Sequence, residues 1–230
     1  MIKKYLAAFL HLWYPHICLH CGTDQLENDS PLCLHCTNAL PFTDFFSMQN
    51  NPIEKIFWGR TSVLHAGAAL FFTKESIVQK LIFELKYKYN KKAGLLLGRI
   101  MGNAMKNSVQ YENISLLIPI PITSKKLRKR GFNQAQVLCE GIRQVWDKKM
   151  ATNLLLKKRD ADSQTHKDRL ERGGQNSFQF YLKAGQLLEN ENVLLIDDVI
   201  TTGATLEAAC NCLEVAMPAS INIATAAYTL

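Results

Sequence analysis

The stretch from Val193 to Leu206, VLLIDDVITTGATL, constrains more than any other what this chain can fold into. Val193, Leu194, Leu195 and Ile196 form a short, apolar run of the kind that makes a strand buried on both faces. The run stops at Asp197 and Asp198, so a buried strand is expected to deliver two carboxylates to an edge. Val199 and Ile200 follow, then Thr201, Thr202, Gly203, Ala204 and Thr205, a small hydroxyl-rich loop, and then a helix-like run, LEAACNCLEVA. The first turn of a helix leaves backbone N–H groups unpaired at the positive end of its dipole, so a phosphate there gains several donors at once. Gly203 lets the backbone approach closely, and threonine hydroxyls add donors without charge. The carboxylates would repel a phosphate and must face something else, such as sugar hydroxyls or a magnesium ion. A ligand with a phosphate beside a ribose satisfies both halves. The plainer alternative is an acid pair that only caps a helix after a strand.

The chain's 230 residues, 47% hydrophobic and 20% charged, suit a globular domain of ordinary size with a small appendage. The net charge of +7 is concentrated: Ser124 to Arg172 holds fourteen Lys or Arg against six acids, a net +8, which leaves the rest at −1. Such a segment suits a polyanion, pyrophosphate or nucleic acid, with a solvated basic face as the alternative. No GxGxxG follows a strand and no GxxxxGK[ST] occurs, so dinucleotide-fold and P-loop readings lack their marker.

Two CxxC pairs, Cys18–Cys21 and Cys33–Cys36, stand eleven residues apart. Two such knuckles supply four thiolates to one tetrahedral zinc ion, a closed set that is structural rather than catalytic. Two disulfides are the alternative, disfavoured in a cytoplasmic chain. Zinc binding at about 10 kcal/mol or more can fold so small a unit by itself. His16, His20 and His35 lie nearby as substitute ligands, while Cys139, Cys210 and Cys212 read as ordinary buried thiols. Ahead of the cysteines, Lys3 and Lys4 precede an apolar run that imitates a signal peptide but has no small-x-small cleavage site. That run is also shorter than the roughly twenty residues of a membrane span. A short helix packing on the body or on a partner is expected, with no transmembrane segment and a cytoplasmic location. The division expected is a helix plus zinc unit over 1–45, an irregular connector, and the main domain over 60–230.

Within the main domain, Thr61 to Phe72 predicts one or two strands around Gly67. Ser76 to Lys86 and Ala93 to Met105 predict amphipathic helices on either side of the polar knot KYKYNKK, whose lysines are either a solvated loop or the border of a site. Leu116 to Pro121 predicts a short buried strand. The cationic stretch that follows it centres on Arg130, Gly131, Phe132 and Asn133, with a helix starting near Asn133. That order repeats strand, glycine loop, helix, and its charge suits pyrophosphate, with nucleic acid as the competing partner. After a strand at Leu154 to Leu156 comes a long polar stretch in which Arg159, Gln164, Arg169, Arg172 and Asn176 are candidates to close over a pyrophosphate. Alternating strands and helices predict an α/β fold with a mostly parallel sheet and a ligand outside the strands' carboxyl ends.

Hydrophobic run, two acids, two spacers and Thr-Thr-Gly-x-Thr together resemble the phosphoribosyl-pyrophosphate (PRPP) signature of type I phosphoribosyltransferases. That resemblance implies that Asp197 and Asp198 hold the ribose 2′ and 3′ hydroxyls and that Thr201 through Thr205 wrap the 5′-phosphate. Nearly the whole chain is similar to the ComF family, competence-associated proteins of phosphoribosyltransferase type: a double CxxC, a helix ending in LKY, PxP followed by RGFNQA, a polar RLER loop and DDVITTGAT occur in that order. This likeness implies pyrophosphate contacts at Arg130, Gly131, Phe132 and Asn133, and a hood carrying Gln164, Arg169, Arg172 and Asn176. It also implies a part in handling incoming single-stranded DNA during natural transformation. One departure is Lys88-Tyr89-Asn90, where the family commonly has a glycine.

Two functions follow. In the first, PRPP with magnesium reacts at C1′ with a nitrogen nucleophile, Asp197, Asp198 and Arg130 supplying position and charge. In the second, the same site senses PRPP or a nucleotide without turnover, while the basic segment and zinc unit grip single-stranded DNA or a partner in the DNA-uptake machinery.

Overall fold

Val193 to Ile196 alternate between two apolar environments, as a strand's period of two requires when helices cover both faces of its sheet. Leu194 and Ile196 pack with Leu81, Leu97 and Leu138, whereas Val193 and Leu195 pack with Phe57, Leu206 and Leu213. The computed structural model that shows this describes residues 16–27, 30–157, 180–183 and 187–229. The expected N-terminal helix and the hood residues Arg159, Gln164, Arg169, Arg172 and Asn176 lie outside them.

In chain order the elements are α1 (Leu34–Asn38), α2 (Pro52–Phe57), β1 (Val63–Phe72), α3 (Ile77–Tyr87), α4 (Lys91–Lys106), β2 (Leu116–Pro119), α5 (Ser124–Arg130) and α6 (Gln134–Arg143). They continue with β3 (Lys149–Met150), β4 (Leu155–Lys157), β5 (Phe180–Leu182), β6 (Asn192–Ile200), α7 (Ala204–Glu214) and β7 (Ser220–Thr229). The main sheet runs β1-β7-β6-β2-β3 with every neighbouring pair parallel, and β4 and β5 form a separate antiparallel ribbon. Helices α3, α4 and α6 cover one face; α2, α7 and the ribbon cover the other. This is the type I phosphoribosyltransferase-like architecture expected from the sequence.

Three local differences bear on the site. Strand β6 runs on through the acid pair to Ile200, because the β-branched Val199 and Ile200 pair with Ala227 and Tyr228 of β7. The stretch after β2 is not an open loop but the helix α5, started by Thr123, whose hydroxyl accepts from Lys126 N–H, and ended by Gly131 at φ +70°. The connector contains α2, capped by Asn51 and opened by Pro52.

The helix layer over the first face is tied together where α4 crosses α6. A Cβ on Gly98 would lie 2.2 Å from the carbonyl oxygen of Leu138, and one on Gly141 would lie 2.5 Å from that of Leu95. Both glycines are thus required by backbone contact. Among the described residues, no helix is long and apolar enough to cross a membrane.

Candidate functional site

β2 and β6 are neighbours, yet the chain leaves β2 through α5 and α6 toward β3 and leaves β6 through α7 toward β7, on opposite sides. Connections that diverge this way open a crevice beyond the carboxyl ends of the two strands, the usual ligand position in such sheets. The structure brings the acid pair, the threonine loop and the Arg130–Asn133 segment to this end.

Alternation along β6 sends the two acids to opposite faces. Asp198 shares the face of Leu194 and Ile196 and meets α3, where Lys86 Nζ lies 2.8 Å from its Oδ1. Asp197 shares the other face, toward Lys157 of β4, and its Oδ1 accepts the Asp198 backbone N–H at 2.8 Å. Burial, and then the neighbouring Asp198 charge, push the Asp197 carboxyl up to about 7; the Asp198 N–H and the charges of Lys86 and Lys157 act against that shift. The pair thus presents two unlike carboxylates, one ion-paired and one near its titration point at neutral pH.

Beyond Ile200, Thr201 and Thr202 are exposed and Gly203 turns the chain at φ +75° into α7. Gly203 has no side chain to accept from the first-turn N–H groups, so the helix's positive end is left for a ligand. Its missing Cβ also makes room for α2: an added carbon would lie 2.8 Å from Ile56 Cγ2 and 3.2 Å from the Phe57 ring. Arg60, just past α2, reaches the Thr202 carbonyl at 3.5 Å and Glu207 at 3.5 Å, adding a cation to the loop that sequence reasoning missed.

On the other side of the crevice, Arg130 donates to Gln134 Oε1 at 2.9 Å and lies 5.7 Å from the Tyr87 ring. Gly131 forms the left-handed turn, and Phe132 lies 5.3 Å from Lys91 Nζ. Asn133 caps α6, its oxygen accepting from Ala135 N–H while its amide donates to the Ile120 carbonyl at 3.0 Å. Most of the KYKYNKK knot is exposed, yet it makes contacts on both sides: Lys86 pairs with Asp198 on the acid strand, Tyr87 and Lys91 lie against Arg130 and Phe132, and the Tyr89 hydroxyl donates to the Lys129 carbonyl at 2.8 Å. Tyr89, within the stretch where a glycine is common, has φ +57°.

A cavity of about 570 Å³ opens at the opposite end of the sheet among Asn107, Gln110, Asn192, Ser220 and Asn222. Its lining holds no Lys or Arg and lacks the helix N-terminus that faces the crevice, so the crevice is the better candidate for a phosphorylated ligand.

The four N-terminal sulfurs lie within 4.8 Å of one another, and Cys21 and Cys33 are 3.6 Å apart. A tetrahedral S₄ site with metal–sulfur bonds of about 2.3 Å needs sulfurs about 3.8 Å apart, so the set can hold one metal ion. Burial acts to raise the Cys18 thiol, but hydrogen bonds from the Cys21, Cys33 and His20 backbone outweigh it and bring it to about 6. Burial and the surrounding thiols push Cys36 up to about 12.

Residues 131–229 match the phosphoribosyl transferase domain family. Competence protein ComFC of Streptococcus pneumoniae is 29% identical over 133 residues, 57% of this chain and 56% of that protein. ComFC of Bacillus subtilis is 35% identical over 98 residues, 43% of this chain and 38% of its own length. Competence protein F of Haemophilus influenzae is 25% identical over 192 residues, 82% of this chain and 74% of the relative. The chain is thus similar to these competence proteins. It spans about half the length of the two ComFC relatives. A hypoxanthine phosphoribosyltransferase from Trypanosoma cruzi aligns over 60% of this chain and 72% of its own, at 12% identity and a TM-score of 0.38. The fold assignment accordingly stands on the strand order and the domain match.

Proposed function

We propose that this chain is a ComF-family protein that binds PRPP with magnesium at the carboxyl ends of β2 and β6 and works in DNA uptake, a reading supported by its similarity to competence proteins. The observation that carries the reading is Gly203. It starts α7 without a side-chain cap directly after an acid-bearing strand at the sheet's switch point. In this reading the 5′-phosphate sits on Thr201–Thr205, the ribose on Asp197 and Asp198, and the pyrophosphate near Arg130, Gly131, Phe132 and Asn133. Gln164, Arg169, Arg172 and Asn176 form the hood. Magnesium would be held near Asp197 and Asp198, whose oxygen donors suit a hard cation, and would offset diphosphate charge. Zinc would occupy Cys18, Cys21, Cys33 and Cys36, a ligand set that needs reduced thiols and so fits a cytoplasmic protein. The units are 1–45 and 60–230, bridged by α2.

Chemistry at such a site is transfer to a nucleophile, with Arg130 and the acids supplying charge and position. A second reading, a non-catalytic PRPP or nucleotide sensor that grips single-stranded DNA, draws on one surface. Phe83 and Tyr87 stand 5.1 Å apart and exposed on α3, Tyr89 is exposed nearby, and Tyr89 bonds the end of the basic helix α5. Aromatic rings beside a cationic strip suit stacked bases and their phosphates.

Calorimetric titration separates these readings. Mg·PRPP binding is expected to weaken at least about tenfold in Asp197→Asn/Asp198→Asn, the loss of one good charge-assisted contact. Undiminished binding in that variant and in Arg128→Ala/Arg130→Ala would refute the site. Pyrophosphate release with an acceptor from a panel marks an enzyme. Salt-dependent oligonucleotide binding without release marks the sensor.

A further inference from the structure

We propose that Lys86 is a ligand-contacting cation that reads the diphosphate on C1′, exchanging its partner Asp198 for that group when the ribose arrives. The inference rests on the PRPP reading above and assigns a second cation, beside Arg130, that favours PRPP over ribose 5-phosphate at the same site.

Lys86 Nζ and Asp198 Oδ1 are 2.8 Å apart, with side chains only 22% and 12% exposed. In that partly buried setting neither charge is stable alone, since breaking a buried pair leaves an uncompensated ion. A neutral ribose hydroxyl can donate to Asp198, but it brings nothing for the displaced ammonium. A ligand satisfies both groups only if it carries an anion close to the hydroxyl that takes Asp198. PRPP has its diphosphate on the carbon adjacent to the 2′-hydroxyl; ribose 5-phosphate has no anion there.

The next residue gives the direction in which Lys86 would turn. Tyr87 lies under the Arg130 guanidinium at 5.7 Å, so two consecutive residues at the end of α3 touch the two walls of the crevice. Arg130 is oriented by Gln134: a guanidinium only donates, so the amide must turn its oxygen to it, at 2.9 Å. A diphosphate between β6 and the α5–α6 joint is met by Arg130 from one side and the released Lys86 from the other.

The test compares Mg·PRPP with ribose 5-phosphate in wild type, Lys86→Met and Lys86→Arg by calorimetry, with melting curves to verify folding. Lys86→Met is expected to lose about tenfold or more for Mg·PRPP, one charge-assisted contact. For ribose 5-phosphate it should stay within about twofold of wild type or bind more tightly, because no ion pair has to be broken. Lys86→Arg should keep the preference for PRPP. Equal losses for both ligands, or no loss for either, overturn the proposal while leaving the site reading intact. A wild type that binds neither ligand removes the site reading, and the proposal with it. If Lys86→Met fails to fold, the comparison moves to an Asp198→Asn background, where no carboxylate is left unpaired. There the added Lys86→Met must still lower the preference for PRPP about tenfold, one charge-assisted contact, and an unchanged preference overturns the proposal.

Discussion

Asp197 is held on β6 with its carboxyl at about 7, raised by burial and by the Asp198 charge from a starting value of 3.8. A carboxyl whose folded value is raised costs stability once it must ionise. Below the unfolded value, near 4, both states are protonated and there is no cost; between about 4 and 7 the cost grows, and above about 7 it is complete. Asp197→Asn is therefore expected to raise the melting temperature of the ligand-free protein at pH 8, with the gain shrinking as the pH falls toward 4. Thermal denaturation across that range checks it, and a gain independent of pH would contradict the assignment. Residue identities at the acid pair, the threonine loop and the four cysteines were legible from spacing. Their unlike environments were not, because alternation on a strand longer than the apolar run puts one acid against α3 and the other on the opposite face of the sheet. Lys86 stands out in the sequence only as part of LKY and of the polar knot, with nothing there to pair it with Asp198.

At the scale of elements, α7 and α2 meet at Gly203, and this contact shapes the phosphate loop. Gly203→Ala places a Cβ at φ +75° and 2.8 Å from Ile56. The left-handed backbone alone costs about 1–2 kcal/mol, and crowding adds to it. A melting temperature lower by roughly 4–8 °C is expected for a chain of this size. Thr201→Ala, at an exposed position, should leave stability unchanged and weaken only ligand binding; denaturation alongside titration distinguishes the two. Amphipathic α3 and α4 were readable from their periodicity, and the start of α6 from the order of strand, glycine loop and helix. The short α2 and α5 were not: α2 has only Asn51-Pro52 as its signal, and α5 buries no residue, so no apolar stripe marks it. The extension of β6 to Ile200 depends on β7, a partner that local pattern cannot supply.

Across the whole molecule, the cysteine unit is not a bead on a string. Cys18, Leu32, Cys33, Cys36 and Leu40 belong to the same buried cluster as Leu81, Leu97 and Met101. Loss of a metal from the four sulfurs should therefore loosen the main core as well. A strong chelator is expected to release about one equivalent of zinc and lower the melting temperature by more than about 5 °C, in one cooperative transition. The reason is that metal-binding free energy of about 10 kcal/mol is coupled to folding. Two separate transitions, the larger unchanged by chelation, would contradict this.

The sequence by itself determined the α/β class, the order of strand, acids, loop and helix, and the four-sulfur set, because each is written in short-range spacing and local periodicity. Tertiary structure alone decided which neighbour each of those groups meets. The divergence of chains at β2 and β6, the pairing of Lys86 with Asp198, the seating of α2 on Gly203 and the fusion of the cysteine unit with the core all join residues far apart in the chain. Contacts between distant segments depend on how sheet and helices pack, and no local pattern records them.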